Sequence, residues 1–154
     1  MAAIRSGGLG DLGLLSSLRA RMFATFYETD ALVLAEADRE FFLSALSRGE
    51  AAFWLAEIGE GLTVACGAVS LYRLPPKPFA LGTVQAYLSS MWTEPEYRRQ
   101  GLGRQILERA VAFARQQGAS HLTLHSTDAG RSLYTGFGFG PTPELRLKLS
   151  PLSD

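Results

Sequence analysis

Cysteine is almost absent from this chain, and lysine nearly so. The lone Cys66 excludes an intrachain disulfide. Its setting, Val64-Ala65-Cys66-Gly67-Ala68-Val69, reads as a buried strand, where a free thiol acts as a small apolar group rather than a nucleophile. Lys77 and Lys148 are the only lysines, so arginine carries most of the positive charge. An excess of either sign is also lacking: 15 basic and 15 acidic residues give a net charge of zero. Neither a nucleic-acid-binding surface nor an acidic tail is expected from that balance. No apolar run reaches membrane-spanning length, and no charged segment leads into an apolar one at the N-terminus. The expectation is a cytoplasmic protein with no membrane partner. His121 and His125 stand four apart, which puts them on one face of a strand, but no third ligand accompanies them and no metal is expected. What is present in quantity is apolar: 47% of 154 residues, enough for one domain, 1–154, with its own core.

The elements alternate without repeats or linkers. Ala2 to Arg5 reads as a short strand. Asp11 is a candidate N-cap, followed by Leu14, Leu15, Leu18, Met22 and Phe26 at helical spacing. A second helix is expected from about Asp38 to Ser47. Ala52 to Glu57 and Leu62 to Tyr72 are strands joined by the Gly59-Glu60-Gly61 turn. Arg73 to Gly82 holds Pro75, Pro76 and Pro78 and cannot enter a sheet centre. Val84 to Trp92 is the next strand. Ile106, Leu107, Ala110, Val111 and Ala114 make the apolar stripe of a helix that Gly118 ends. His121 to Ser126 reads as a strand, Ala129 to Thr135 as a short helix, and Glu144 to Leu149 as a final strand. This order describes a mixed sheet, not a simple alternation of parallel units.

The most informative stretch lies where Val84–Trp92 meets the following helix: Tyr97-Arg98-Arg99-Gln100-Gly101-Leu102-Gly103-Arg104. A strand-to-helix crossing leaves the first helical N–H groups unpaired, and the helix dipole favours an anion there. Gly101 and Gly103 let a ligand approach the backbone, and Arg98, Arg99 and Arg104 add positive charge. The Walker loop is excluded because Arg104 and Gln105 follow Gly103. The Rossmann fingerprint is excluded because Ile106 occupies its third small position.

What remains, Arg98-x-x-Gly101-x-Gly103 after Thr93-Glu94-Pro95-Glu96-Tyr97, resembles the acetyl-CoA loop of the GNAT superfamily of N-acetyltransferases. Leu133-Tyr134-Thr135-Gly136-Phe137-Gly138-Phe139 resembles that family's Leu-Tyr-x-x-x-Gly-Phe element, one helix and one strand later. The resemblance spans essentially the whole chain. It departs in two places: Thr127 stands where many members carry Asn, and Pro141 and Pro143 shorten the segment before the last strand. The resemblance implies an α/β (α+β) fold, a single GNAT-like domain. Its central sheet is mixed, mostly antiparallel, of 6–7 strands splayed between strands 4 and 5, with about four flanking helices.

Function follows from the same resemblance. Acetyl-CoA is the implied donor substrate, with its pantetheine arm between Ser89–Thr93 and Leu122–Ser126. Main-chain groups of Met91 and Thr93 are expected to bond the arm, and N–H groups of Arg99, Gln100, Gly101, Leu102, Gly103 and Arg104 the pyrophosphate. Arg98 and Thr127 complete the cofactor-side residues. The N–H of Met91, or alternatively of Trp92, is the expected oxyanion donor, and Tyr134 the expected general acid. The general base stays open. Some relatives use a carboxylate at the register of Tyr87; Glu57, Glu94, Glu96, Asp128 and His125 are other candidates, as is ordered water. The implied partner is a primary amine of unknown identity, attacking directly in a ternary complex. A homodimer is an expectation from the resemblance alone. The alternatives are a non-catalytic acyl-CoA sensor or a regulatory interaction domain, and Tyr134 favours the enzyme.

Overall fold

A five-stranded sheet forms the centre of the computed structural model, which describes residues 2–150. Strands β1 (Ala3–Ser6), β2 (Ala51–Ile58), β3 (Leu62–Arg73), β4 (Val84–Thr93) and β5 (Leu122–Thr123) lie side by side in chain order. The first three pairings are antiparallel and β4–β5 is parallel. A parallel neighbour needs a crossover, and helix α3 (Leu102–Gln116) supplies it. The other helices are α1 (Leu12–Ala24), α2 (Ala31–Ser47) and α4 (Arg131–Phe137). The mixed sheet with four helices is the arrangement expected from the sequence, although the strands number five against 6–7 expected.

The sheet is covered on both faces because its central strands are apolar on both. Ile106, Leu107 and Ala110 of α3 pack on Val69, Ala86 and Leu88. On the opposite face Leu15 and Leu18 of α1 and Phe42 of α2 meet Phe53, Leu55, Cys66 and Ala68. Cys66 is thus the core residue that its apolar setting suggests.

Four local expectations are corrected. Helix α2 begins at Ala31, not near Asp38. The Asp30 carboxylate accepts from the N–H groups of Leu32 (3.0 Å) and Val33 (3.2 Å), capping two otherwise unpaired donors. Leu32 and Val33 are exposed while Leu34 and Ala35 are half-buried, so the apolar run that opens the helix shows no helical spacing. Asp11 does precede α1, but its carboxylate accepts from the Gly8 N–H and the Arg5 guanidinium instead of capping that helix. The segment Glu144–Leu149 pairs with no strand, and Leu145, Leu147 and Leu149 stand exposed. Pro141 and Pro143 remove two backbone donors just ahead of it. Likewise His121–Ser126 contracts to Leu122–Thr123, which pair with Ala86 and Tyr87 of β4 and no further. Among the described residues no helix is long and apolar enough to cross a membrane.

Candidate active site

The site begins with a defect in β4. The β3–β4 register slips between Cys66 and Ala68, and Ser90 takes a φ of 61°, a left-handed conformation rare for serine. Ser89 and Ser90 then share one face, with hydroxyls 3.3 Å apart. Alternation shifts by one beyond this bulge. Before it, the Ala86 N–H points outward to the His121 carbonyl; after it, the Glu94 N–H points inward to the Val64 carbonyl. Counting back from Glu94, Trp92 also faces β3, opposite Cys66, while the main chain of Met91 and Thr93 faces away from β3. β5 pairs only with Ala86 and Tyr87, so beyond Tyr87 this outer edge borders an opening wedge. Of the two expected oxyanion donors, Met91 is the one whose N–H faces the wedge.

A polar cluster under the bulge was not foreseen from sequence. Arg19 of α1 donates to the Ser90 hydroxyl and, through Nε, to Asp38 Oδ2 at 3.0 Å. Ser16 donates to the same carboxylate at 2.9 Å, and the Cys66 thiol donates to the Ser90 carbonyl at 3.1 Å. Gly67, beside the bulge, leaves room for Met91: a Cβ there would lie 2.5 Å from Met91 Sδ and 2.6 Å from Ile106 Cγ2.

At the mouth of the wedge stands the basic loop. Gly101, with a φ of 81°, is the residue before α3, and the first helical bond runs from the Gln105 N–H to its carbonyl at 3.1 Å. The N–H groups of Leu102, Gly103 and Arg104 therefore have no intrahelical acceptor. Leu102 is buried and anchors the loop, whereas Gln100 is exposed. The three arginines differ in what they do. Arg98 donates through Nε to the Thr93 carbonyl at 2.9 Å, and its guanidinium lies 4.7 Å from the Trp92 ring centroid. Arg104 pairs with Glu108 at 3.4 Å and stacks near Phe137. Arg99, also at positive φ (60°), has no ion-pair partner among the described residues.

Tyr134 projects from α4 with its ring 5.8 Å from that of Phe139. Burial raises its pKa above the ordinary tyrosine value, so the phenol holds its proton at neutral pH. Its hydroxyl has no hydrogen-bond partner among the described residues. Thr127, in the turn before α4, accepts the Gly130 N–H through its hydroxyl at 3.2 Å. Tyr134 and His125 border one groove of about 900 Å³.

The open question of the base is narrowed by what its candidates touch. Glu57 is held by Arg5 at 2.7 Å. Glu94 lies 2.5 Å from the Arg21 guanidinium, close in distance but not aligned as a hydrogen bond. His121 and His125 do not converge: His121 Nδ1 meets the Ser120 hydroxyl, and His125 Nδ1 meets the hydroxyl of Tyr87. Among the described residues no group of three or more metal-ligating side chains comes together.

A strand that splits from its neighbour beside a helix that begins at a glycine is the arrangement that the resemblance to GNAT enzymes implies. The model of the acetyltransferase (GNAT) family matches residues 15–139, and the chain belongs to that family. N-acetyltransferase family 8 member 3 of Rattus norvegicus is 34% identical over 116 residues, covering 70% of this chain and 49% of that protein. The chain thus spans about half the length of the curated relatives it matches. Among solved structures, a predicted acetyltransferase with acetyl-CoA from Clostridium acetobutylicum superposes with a TM-score of 0.88 at 26% identity, covering 97% of each chain. A GCN5-related N-acetyltransferase from Ralstonia eutropha gives a TM-score of 0.83 at 28% identity, covering 97% of this chain and 99% of its own.

Proposed function

We propose that this chain transfers an acetyl group from acetyl-CoA to a primary amine by direct attack within a ternary complex. The observation that carries the reading is the wedge that opens past Tyr87 and Thr123, with the unpaired N–H groups of α3 at its mouth. In this reading the pyrophosphate lies against the backbone from Arg99 to Arg104, where donors and dipole act together. The pantetheine arm runs inward along the outer edge of β4, bonded by Met91 and Thr93 as an added strand would be. The thioester then ends near the bulge. The Met91 N–H donates to the carbonyl oxygen as it gains charge, an interaction whose loss costs about 2.7–4 kcal/mol in other enzymes.

Tyr134 supplies the proton for the departing thiolate. A phenol with its pKa raised by burial gives its proton uphill to a thiolate whose conjugate acid lies near about 8.5, a transfer that desolvation of the departing thiolate makes workable as C–S cleavage proceeds. Thr127 stands at the turn that sets α4, and with it Tyr134, in place. The presence of Tyr134 in the Leu133–Phe139 element favours turnover over an acetyl-CoA sensor.

The test is release of free thiol from acetyl-CoA in the presence of alkyl amines, amino acids, polyamines and peptides. Amine-dependent release is the expected result. Acetyl-CoA binding without release across the whole panel replaces the enzyme reading with the sensor reading.

A further inference from the structure

The hydroxyl of Tyr87 meets Nδ1 of His125 at the closed end of the wedge. Tyr87 is the last β4 residue in register with β5, opposite Thr123, and the strands part immediately after it. Its side chain lies on the face opposite Ala86 and Leu88, which pack under α3, and therefore on the α1 and α2 side of the sheet. An arm that enters at Arg99–Arg104 and follows β4 past Thr93 and Met91 delivers its thioester toward Tyr87. The tyrosine is only partly buried and His125 is exposed, so an acceptor can reach the pair.

We propose that Tyr87 and His125 form a proton relay that deprotonates the incoming ammonium, with Tyr87 as the catalytic residue and His125 acting through it. The step balances as follows. One N–H proton of the ammonium passes to Oη of Tyr87 while the tyrosine's own proton passes to Nδ1 of His125. The free amine attacks the thioester carbon and the C–N bond forms. The C–S bond breaks, the thiolate takes the proton of Tyr134, and the remaining excess proton on nitrogen restores Tyr134. The imidazolium releases its proton to solvent, one per turnover. No tyrosinate accumulates, which suits a phenol that its surroundings keep protonated. Burial is the main cause of that raised pKa, opposed by the nearby Arg146 and assisted by Glu144 and by Tyr72 of β3. Together with His125, these are the groups facing the phenol. Imidazole is the side chain suited to take and return a proton near neutral pH.

This inference rests on the acetyl-transfer reading, and the experiment separates the two. Wild type, Tyr87→Phe, His125→Gln and the double variant are assayed for thiol release with n-butylamine, an ammonium at neutral pH, and with methoxyamine, a free base there. With n-butylamine, Tyr87→Phe is expected to lower kcat/KM about 100-fold or more. The double variant is expected to match Tyr87→Phe, because the two residues act as one unit. In all three variants the remaining rate should follow the free-base fraction of n-butylamine as pH rises. With methoxyamine the losses should be far smaller than with n-butylamine, and acetyl-CoA affinity should stay at the wild-type value. Equal losses with both acceptors, or an unchanged pH profile, overturn the relay while leaving acetyl transfer intact. No thiol release by wild type with either acceptor overturns both readings. Nitrogen NMR of the imidazole gives a check independent of turnover: accepting from Tyr87 requires the proton on Nε2, and a proton found on Nδ1 overturns the relay.

Discussion

The Arg19 guanidinium on α1 donates to the hydroxyl of Ser90 on β4, so the first helix grips the residue that bends the strand where the wedge opens. Asp38 of α2 holds the same guanidinium, and its side chain is only 8% exposed. Replacing Arg19 by Ala leaves that carboxylate buried without its counter-charge and held only by the Ser16 hydroxyl, a loss of about 3 kcal/mol. Urea unfolding should show it as a lower midpoint with unchanged slope. Ser90→Gly should cost far less, because glycine adopts a positive φ freely.

Gly101→Ala tests the loop through its backbone alone. A Cβ there meets nothing within 4 Å, yet φ is +81°. The left-handed conformation costs a substituted residue about 1–2 kcal/mol, which corresponds to roughly tenfold weaker acetyl-CoA binding if the loop relaxes to avoid it. Calorimetric titration measures this, and Gly101→Asn should lose less because asparagine tolerates that conformation.

For Tyr134→Phe the expected result is a split between binding and turnover. Thiol release should fall by about 100-fold or more, with acetyl-CoA affinity unchanged. Equal losses in both would make the residue a packing group against Phe139 instead of an acid.

Burial pushes the Cys66 thiol up to about 12, against a usual value of 9.0. It therefore stays a thiol through the neutral range, and only the thiolate reacts quickly with electrophiles. Iodoacetamide should label the native protein only as fast as it opens, and label it readily in denaturant. Rapid labelling of the folded chain would mean that the α1–α2 face is not closed over the sheet.

Acid should weaken the tie between β1 and the turn before α1. The Arg5 guanidinium, followed by the Gly8 N–H, holds the Asp11 carboxyl down at about 2 from 3.8. A depressed carboxyl contributes stability above its unfolded value and loses it as pH falls through the folded one. The contribution should therefore fade between roughly pH 4 and pH 2. Asp11→Asn should flatten that part of a stability–pH curve, with little change in slope near neutrality.

Legibility followed sequence distance. The glycine loop, the α3 stripe and the Gly59–Gly61 hairpin turn are written in adjacent residues, so local geometry revealed them. The Leu133–Phe139 element was legible for the same reason. The Arg19–Ser90 contact joins positions 71 apart, and neither residue carries a local mark of its partner. The exposed start of α2 hid behind Leu32 and Val33, which look apolar but face outward. The alternation at Leu145, Leu147 and Leu149 had the pattern of a strand, but a strand also needs an edge to pair with, and none pairs with it here.

The sequence by itself determined that a helix begins at a glycine with unpaired N–H groups, because that depends on a handful of neighbouring residues. It also determined which stripe of that helix, Ile106 to Ala114, would be buried, because 3.6-residue periodicity is local. Only the tertiary structure decided which main-chain groups face the wedge. That depends on one residue of slippage at Ser90, and a slip of one reverses the direction of every later N–H along the edge. It also brought Tyr87 against His125, a pairing that exists only because β4 and β5 run parallel and part just beyond Tyr87 and Thr123.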